Sequence, residues 1–277
     1  MSRFLIDRVR ARLCGSPVVT PTPKAIGKFE HRAPAVQNAV DIFAGKWASD
    51  LAPVCGVTGT GFADLFRDRR PQQAADALGH RGRLDGFRVL ELGPLEAAHS
   101  YLLEGLGAAE IIAVEANTEA YLKCLVVKEA LDLRNVRFLC GDIVAYLRTC
   151  ERRFDMIFCS GVLYHMADPL ELVQLIADRT DKCFIWTHYH TGEPSNDRVA
   201  RTERSVSRAG FDATYHEYEY GNPGFDQFWG GNRPVQAWMT QDAILAAFAH
   251  FGFTQSSVLE EDHDHPAGRC MTFAVSR

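Results

Sequence analysis

Five short apolar runs within residues 85–191 constrain the fold of this chain more than any other feature of its sequence. Each run has the length of an ordinary strand and is separated from the next by a segment with helical periodicity. Nearly continuous apolar runs of this kind are typical of strands buried on both faces of a parallel sheet. Their alternation with helices predicts an α/β fold with right-handed crossovers. The runs are Phe87–Gly93, Glu110–Glu115, Val136–Ile143, Phe154–Ser160 and Cys183–His190.

The first two runs end in residues that suit a nucleoside-binding site. The first ends in Glu91-Leu92-Gly93, where the glycine lets the backbone approach a ligand without a Cβ in the way. The second ends in Glu115, 22 residues after Gly93. Open α/β sheets bind ligands beyond the carboxyl ends of their strands, where an acid accepts hydrogen bonds from ribose hydroxyls. This spacing predicts a nucleoside-type cofactor.

The last part of the chain adds two more strands. Thr240 precedes an apolar segment of helical period and is a suitable N-cap. Residues 256–262 and 269–276 then form two strand-like runs joined by a six-residue connection. Strands linked so closely form a hairpin, so the last strand is antiparallel to its neighbours. The sequence therefore predicts a seven-stranded sheet that is mostly parallel, with an antiparallel last strand.

Two segments lie outside this pattern. Residues 1–84 are predicted as a helical N-terminal extension, because apolar residues recur at nearly helical spacing from Pro34 to Leu51. The first 33 residues of this extension are rich in Arg and Lys, which indicates a solvated basic arm or a contact with RNA or another anionic partner. Residues 192–236 are polar, aromatic and glycine-rich, and too long for an ordinary connector. We predict that they form an aromatic lid, with Gly230-Gly231 as its hinge, inserted in a sheet domain of residues 85–277.

Composition limits the class of protein. With 277 residues, 47% of them hydrophobic, the chain can bury a large core. The net charge of −5 is not that of a general nucleic-acid binder. The eight cysteines form no C-x-x-C pair and lie mostly in or beside apolar runs, which predicts a reducing compartment and no disulfides. No run has the length of a membrane span or of a signal peptide, so we expect a soluble, cytoplasmic protein.

The sheet domain resembles the class I S-adenosylmethionine-dependent methyltransferases over its whole length. The resemblance lies in the acids at the ends of the first three strands and in the hairpin at the end of the chain. The resemblance implies a Rossmann-like fold and S-adenosylmethionine as the cofactor. It places Glu91 and Gly93 at the methionine end of the cofactor and Glu115 at the ribose. It also places Asp142 and Ile143 at the adenine. The residue types fit these roles, because a carboxylate accepts hydrogen bonds from vicinal hydroxyls or an exocyclic amine.

Two segments narrow the resemblance, ELGPLEAAHSYLLE at residues 91–104 and GVLYHMADPLE at residues 161–171. The second is similar to the G-V-L-Y-H segment of the tRNA wobble-uridine carboxymethyltransferases and of small-molecule methyltransferases related to them. In those tRNA enzymes, the Tyr of this segment and a Trp of the preceding helical region contact the cofactor. The further cofactor contacts that the resemblance implies in this chain are Trp47, Ala116, Ser160 and Tyr164.

Two departures from the family pattern affect the interpretation. Gly93, Leu95 and Ala97 stand where the family usually has three glycines, so we expect this loop to take a different path. Residues 48–52, after Trp47, hold none of the basic side chains that bind an extra cofactor carboxylate in the tRNA enzymes, which favours ordinary S-adenosylmethionine.

Two other interpretations stay open. One is a dinucleotide-dependent oxidoreductase, whose glycine motif matches less well, and the other is a cofactor-binding protein without catalysis.

Methyl transfer from a sulfonium is an in-line displacement, so the enzyme mainly positions its partners and removes one proton. The acceptor is expected beyond the fourth and fifth strands, which makes His165 and His188 the candidate general bases, although a structural role for His165 in its loop is an alternative. His188 and His190 alternate along one strand, so both point to one face. Arg233 can pair with a substrate carboxylate. The predicted substrate-binding residues are Tyr189, His190, Trp229 and Arg233.

Histidines and an acid near the end of the chain raise the alternative of a metal site. The residues that could converge are His188, His190, His216, Glu217, His263 and His265. Their spacing matches no established metal motif, so no metal is predicted.

We interpret the sequence as an S-adenosylmethionine-dependent methyltransferase that methylates oxygen or nitrogen of a small molecule, with no membrane partner. The alternative is a tRNA-modifying methyl- or carboxymethyltransferase that holds tRNA with its basic arm.

Overall fold

The computed structural model of the chain describes residues 29–192, 202–219 and 235–277. Two sheets and a set of mostly short helices account for most of these residues. The strands are β1 (Arg88–Leu92), β2 (Glu110–Glu115), β3 (Val136–Cys140), β4 (Met156–Ser160), β5 (Lys182–His188), β6 (Thr202–Arg208), β7 (Phe211–Glu219), β8 (Val235–Trp238), β9 (Gln255–Asp262) and β10 (Cys270–Ser276). The helices are α1 (Val36–Asp41), α2 (Ala52–Cys55), α3 (Arg70–Leu78), α4 (Ala98–Gly105), α5 (Thr118–Ala130), α6 (Ile143–Thr149), α7 (Pro169–Arg179) and α8 (Gln241–His250). Short 3-10 turns lie at Leu65–Arg67 and Leu163–His165.

The larger sheet has seven strands in the order β3-β2-β1-β4-β5-β10-β9. Strands β1 to β5 pair in parallel, and β10 pairs antiparallel with both β5 and β9. The mostly parallel sheet with an antiparallel last strand confirms the predicted fold class. Because the strand order reverses beside β1, the carboxyl ends of β1 and β4 border the crevice in which such sheets bind ligands.

Two hydrophobic clusters cover the two faces of this sheet. One contains buried side chains of α6, α7 and α8, and the other contains buried side chains of α1, α3, α4 and α5. The strands between them are apolar on both faces, as in β4, where all five residues are buried. The result is a three-layer sandwich in which α1 and α3 of the extension share a layer with α4 and α5.

Three helices begin at a capping side chain, and one of these residues, Thr240, is the predicted N-cap. The side chain of Asn117 accepts hydrogen bonds from two backbone amides at the start of α5. Asp168 caps α7 and Thr240 caps α8 in the same way. Capping residues satisfy amide groups that have no partner within the helix, so they fix where each helix begins.

Two expectations about the segments outside the sheet were wrong. The helix predicted through Leu51 ends at Asp41 and continues as turns, within which Gly45 takes a left-handed conformation with φ of +77°. The segment predicted as an aromatic lid, residues 192–236, contains β6, β7 and the first residues of β8, and these three strands form a separate antiparallel sheet. Strands β6 and β7 are joined by Ala209 and Gly210, both at positive φ, which is the geometry of a tight two-residue hairpin turn.

Part of the predicted lid lies outside the described residues. This applies to Tyr220, Phe225, Phe228, Trp229, the Gly230-Gly231 hinge and Arg233. The first 28 residues, which hold most of the basic arm and Cys14, also lie outside them. The cysteines of the described ranges are free thiols. No helix in those ranges is long and apolar enough to cross a membrane.

A buried ion pair attaches the N-terminal extension to the sheet domain. The carboxylate of Glu96 accepts hydrogen bonds from the backbone amides of Ala48 and Ser49, the shortest of 2.7 Å. It also pairs with the Lys123 ammonium at 3.0 Å, and both side chains are at most 8% exposed. The ammonium in turn donates to the carbonyl of Lys46 at 2.6 Å. Glu96 belongs to the loop after β1, so this network places the extension directly on that loop.

We expect Glu96→Gln to lower the free energy of unfolding by about 3 kcal/mol, because it leaves the Lys123 charge without its buried counter-charge. Adding Lys123→Met should restore part of the loss. Glu119, which pairs with the same ammonium at 3.4 Å from a more exposed position, provides the matched control. Glu119→Gln should cost less than about 1 kcal/mol in the same urea titration. Equal losses for Glu96→Gln and Glu119→Gln would contradict the role of the buried pair.

Candidate cofactor and acceptor site

The loop between β1 and α4 takes left-handed conformations at alternate positions. Gly93, Leu95 and Ala97 have φ of +67°, +57° and +64°. Left-handed geometry costs a residue with a Cβ roughly 1–2 kcal/mol, and Leu95 and Ala97 take it despite this cost. The different path expected from the loss of two glycines is therefore not evident in the backbone angles, since all three positions are left-handed. A Cβ at Gly93 would lie 2.9 Å from a Val162 methyl carbon, so this position has no room for a side chain.

Glu115 holds this loop in place from the end of β2. Its carboxylate accepts hydrogen bonds from the amide of Leu95 at 3.0 Å and of Asn117 at 2.8 Å. Burial raises the pKa of Glu115, although these backbone hydrogen bonds act in the opposite direction. A carboxylate has about four lone-pair positions, so ribose hydroxyls can still be accepted. The neighbouring Ala116 is half-buried.

Glu91, near the carboxyl end of β1, is a buried acid with an unused acceptor. One carboxylate oxygen accepts a hydrogen bond from the Ser100 hydroxyl. The other has no hydrogen-bond partner among the described residues, although the side chain is 1% exposed. Burial raises the pKa of Glu91 to about 8. A buried oxygen without a partner beside a glycine turn fits the ammonium group of S-adenosylmethionine, because a buried acceptor left without a donor is costly.

Asp142 and Trp47, two of the predicted cofactor contacts, each make a hydrogen bond within their own segment of the chain. Asp142 caps α6 by accepting a hydrogen bond from the Ala145 amide at 2.8 Å, and Ile143 is buried. Trp47 is 6% exposed and donates its indole N–H to the Val40 carbonyl at 2.9 Å. Its ring thus packs within the extension, one residue before the amides that Glu96 binds.

An arginine of the extension reaches the end of β4, a contact that the sequence analysis missed. The Arg70 guanidinium donates to the Ser160 hydroxyl at 2.9 Å, pairs with Asp68, and lies 4.7 Å from the Trp186 ring centre. Asp68 also contacts His99 at 3.2 Å. Burial alone would raise the pKa of Asp68, but the hydrogen bonds from His99 and Arg70 outweigh it and hold that pKa well below its usual range. No sequence signal joins these residues, because they come from four distant segments.

Beyond β4 and β5, aromatic rings pack against the predicted base His188. The ring of Tyr164 lies 4.6 Å from that of His188, which stacks on Trp238 of the smaller sheet at 5.4 Å. His165 follows Tyr164 with ring centres 4.0 Å apart. The Trp238 indole N–H is buried and has no hydrogen-bond partner among the described residues. We name these four residues and Trp186, whose ring lies 5.1 Å from that of His188, the aromatic cluster.

Of the other predicted substrate-binding residues, the structure describes His190 and Tyr189, and the two lie in different surroundings. His190 lies beside the aromatic cluster, where its Nδ1 is 2.8 Å from the Tyr218 hydroxyl and its ring stacks on His216 at 3.5 Å. Burial and the neighbouring His216 lower the pKa of His190. Tyr189 is 5% exposed and belongs to the hydrophobic cluster of α6, α7 and α8. Alternation along the strand therefore separates Tyr189 from its two histidine neighbours.

The raised pKa of Glu91 predicts a specific dependence of stability on pH. Its folded-state pKa of about 8 lies above the ordinary value of 4.5, so the folded protein retains a proton that the unfolded chain releases. Its stabilising contribution is complete below pH 4.5 and is lost as the pH rises towards 8. As the pH rises through this window, the free energy of unfolding of the wild type should fall, relative to that of Glu91→Gln, by at most about 1.4 kcal/mol per pH unit. Urea titrations of both proteins between pH 5 and 8.5 measure the difference, and parallel curves would refute the assignment.

Comparisons with known proteins agree with this geometry. Residues 90–179 match the family described as Methyltransferase domain. The tRNA U34 carboxymethyltransferase of Chromohalobacter salexigens is 32% identical over 102 residues, which cover 36% of this chain and 30% of that protein. The enzyme of the same name from Campylobacter hominis is 29% identical over 91 residues, covering 33% and 31%. The chain thus matches less than a third of the length of these relatives.

Among solved structures, the N-terminal domain of EvdMO1 in the presence of SAH and D-fucose has a TM-score of 0.61 and 23% identity, covering 80% of this chain and 85% of that one. The same domain with SAH bound has a TM-score of 0.62, with coverage of 80% and 87%. At this identity the likeness shows the fold alone. Together with the domain match over residues 90–179, it supports a class I S-adenosylmethionine-dependent methyltransferase related to the tRNA U34 carboxymethyltransferases.

Proposed function

We propose that this protein methylates an oxygen or nitrogen atom of a small molecule bound at the aromatic cluster. The main support for this proposal is the position of the cluster at the carboxyl ends of β4 and β5, where Trp238 of the smaller sheet stacks on His188. Aromatic walls with a few polar groups are typical of small-molecule sites. The buried Trp238 indole N–H is a donor that an acceptor oxygen can satisfy.

The residues at the ends of β1, β2 and β3 support binding of the cofactor. Glu91 and Gly93 receive its methionine end, Glu115 its ribose, and Asp142 with Ile143 its adenine. Bound S-adenosylmethionine supplies an electrophilic methyl group on a sulfonium. Ser160 ends β4, next to these residues in the sheet, and Tyr164 of the aromatic cluster follows it four residues later. The chain therefore holds both partners at adjoining strand ends, as an in-line displacement requires.

Of the two predicted bases, we assign proton removal to His165. Its side chain is half-buried and lies beside Tyr164, so an acceptor in the cluster can reach it. His188 is 3% exposed, and its Nδ1 lies 2.9 Å from the Gly268 carbonyl. We assign to His188 a place in the wall of the acceptor site. General-base catalysis by a positioned histidine contributes about 10²–10⁴ in rate.

Modification of tRNA is the second candidate function. The match to the tRNA U34 carboxymethyltransferases and the basic first 33 residues favour it. The net charge of −5 and the aromatic character of the acceptor site favour the small molecule. The two candidates differ in salt dependence, because phosphate contacts release counterions on binding.

Transfer of a labelled methyl group tests the proposed function. We expect label from S-adenosylmethionine to enter the small-molecule fraction of a cell extract and not purified total tRNA. His165→Gln should lower this transfer by about 10²-fold or more, with cofactor affinity unchanged. The exposed His80→Gln variant is the control and should retain full transfer. Label found only in tRNA would overturn the small-molecule acceptor, and full activity in His165→Gln would overturn the assignment of the base.

A further inference from the structure

The hairpin that closes the larger sheet brings three potential metal ligands together. One ligand atom from each of His188, His265 and Cys270 lies within 4.8 Å of the other two. His188 and Cys270 are cross-strand partners in β5 and β10, and they are 3% and 2% exposed. His265 lies in the loop between β9 and β10, with its ring centre 4.9 Å from that of His188. Three donors from one strand end and one hairpin thus converge in a largely buried place.

The hairpin also orients the His188 ring. Nδ1 of His188 lies 2.9 Å from the Gly268 carbonyl oxygen and 3.2 Å from that of Arg269. Carbonyl oxygens only accept, so Nδ1 carries the hydrogen and the lone pair of the ring is on Nε2. Metal-binding histidines are usually held by such a bond from the other nitrogen to a carbonyl, which fixes the tautomer and the ring orientation.

The charges around the three ligands are compatible with a dication. Asp262 pairs with Cys270 in the register of β9 and β10, and its negative charge acts on both Cys270 and His265. The neighbouring cation is Arg70, which also acts on these two residues. Its charge is offset by the ion pair with Asp68.

We propose that His188, His265 and Cys270 bind a transition-metal dication, with zinc as the ion best matched to two imidazoles and one thiolate. Ligand atoms around tetrahedral zinc lie about 3.5 Å apart, a spacing that small side-chain rotations give from this arrangement. Binding releases the Cys270 thiol proton to solvent. Asp262, or an oxygen or nitrogen atom of the acceptor, would be the fourth ligand of the ion. The site does not depend on the proposed methyl transfer, because metal binding is measured without cofactor or acceptor.

Cobalt titration of the chelator-treated full-length protein tests this site. We expect one Co²⁺ per chain, the intense visible bands of a tetrahedral ion, and a near-ultraviolet thiolate-to-cobalt charge-transfer band. Zinc should displace the cobalt and remove both sets of bands. Cys270→Ser should lose the charge-transfer band, whereas Cys55→Ser, which changes a thiol of the N-terminal extension, should keep it.

A matched pair of histidine variants separates the proposed site from adventitious binding. His265→Asn should weaken cobalt binding at least about ten-fold, whereas His263→Asn changes a more exposed histidine of the same hairpin and should have no effect. SAH binding, measured in parallel, reports whether each variant is folded and tests the cofactor site separately. Equal effects of the two histidine changes, a charge-transfer band that survives Cys270→Ser, or no stoichiometric binding by the wild type would overturn the metal site.

Discussion

The buried carboxylate of Glu115 is the interaction on which the cofactor side of this protein depends. It accepts a hydrogen bond from the amide of Leu95, which connects the end of β2 to the loop after β1. That bond stabilises a loop in which two residues other than glycine hold left-handed conformations. The next residue, Glu96, continues the network to the N-terminal extension through Ala48, Ser49 and Lys123. Glu115 and Glu96 therefore hold the loop after β1 between the sheet and the N-terminal extension.

The acceptor side follows from a second set of contacts, at the ends of β4 and β5. Arg70 brings the extension to Ser160, and Trp238 brings the smaller sheet to His188. Three parts of the chain thus meet beside the residues that we propose for the cofactor. Enclosure of this kind excludes water from the reacting groups and strengthens the interactions of polar groups inside. The same convergence accounts for the buried imidazole and thiol groups of the terminal hairpin.

Local signals in the sequence were sufficient for the seven-stranded sheet. Apolar runs predict the strands, and Thr240 shows why the start of α8 was predictable, since its cap is formed with its own helix. Arg70 and Asp68 were not predictable, because their partners are far away in the chain. The smaller sheet was missed although Ala209-Gly210 is a hairpin signal, because the aromatic and glycine content of the segment favoured a loop. The positive φ of Leu95 was hidden because leucine rarely takes it.

Calorimetric titration with S-adenosylmethionine and with its carboxylated analogue measures directly which cofactor this chain binds. We expect one site per chain with preference for S-adenosylmethionine, because residues 48–52 hold no basic side chain for an extra carboxylate. Glu115→Gln should weaken that binding by about 1–3 kcal/mol, because a ribose hydroxyl loses its charged acceptor. Preference for the carboxylated form would contradict the cofactor assignment and favour the tRNA reaction. Failure of the wild type to bind either compound would contradict the site as a whole.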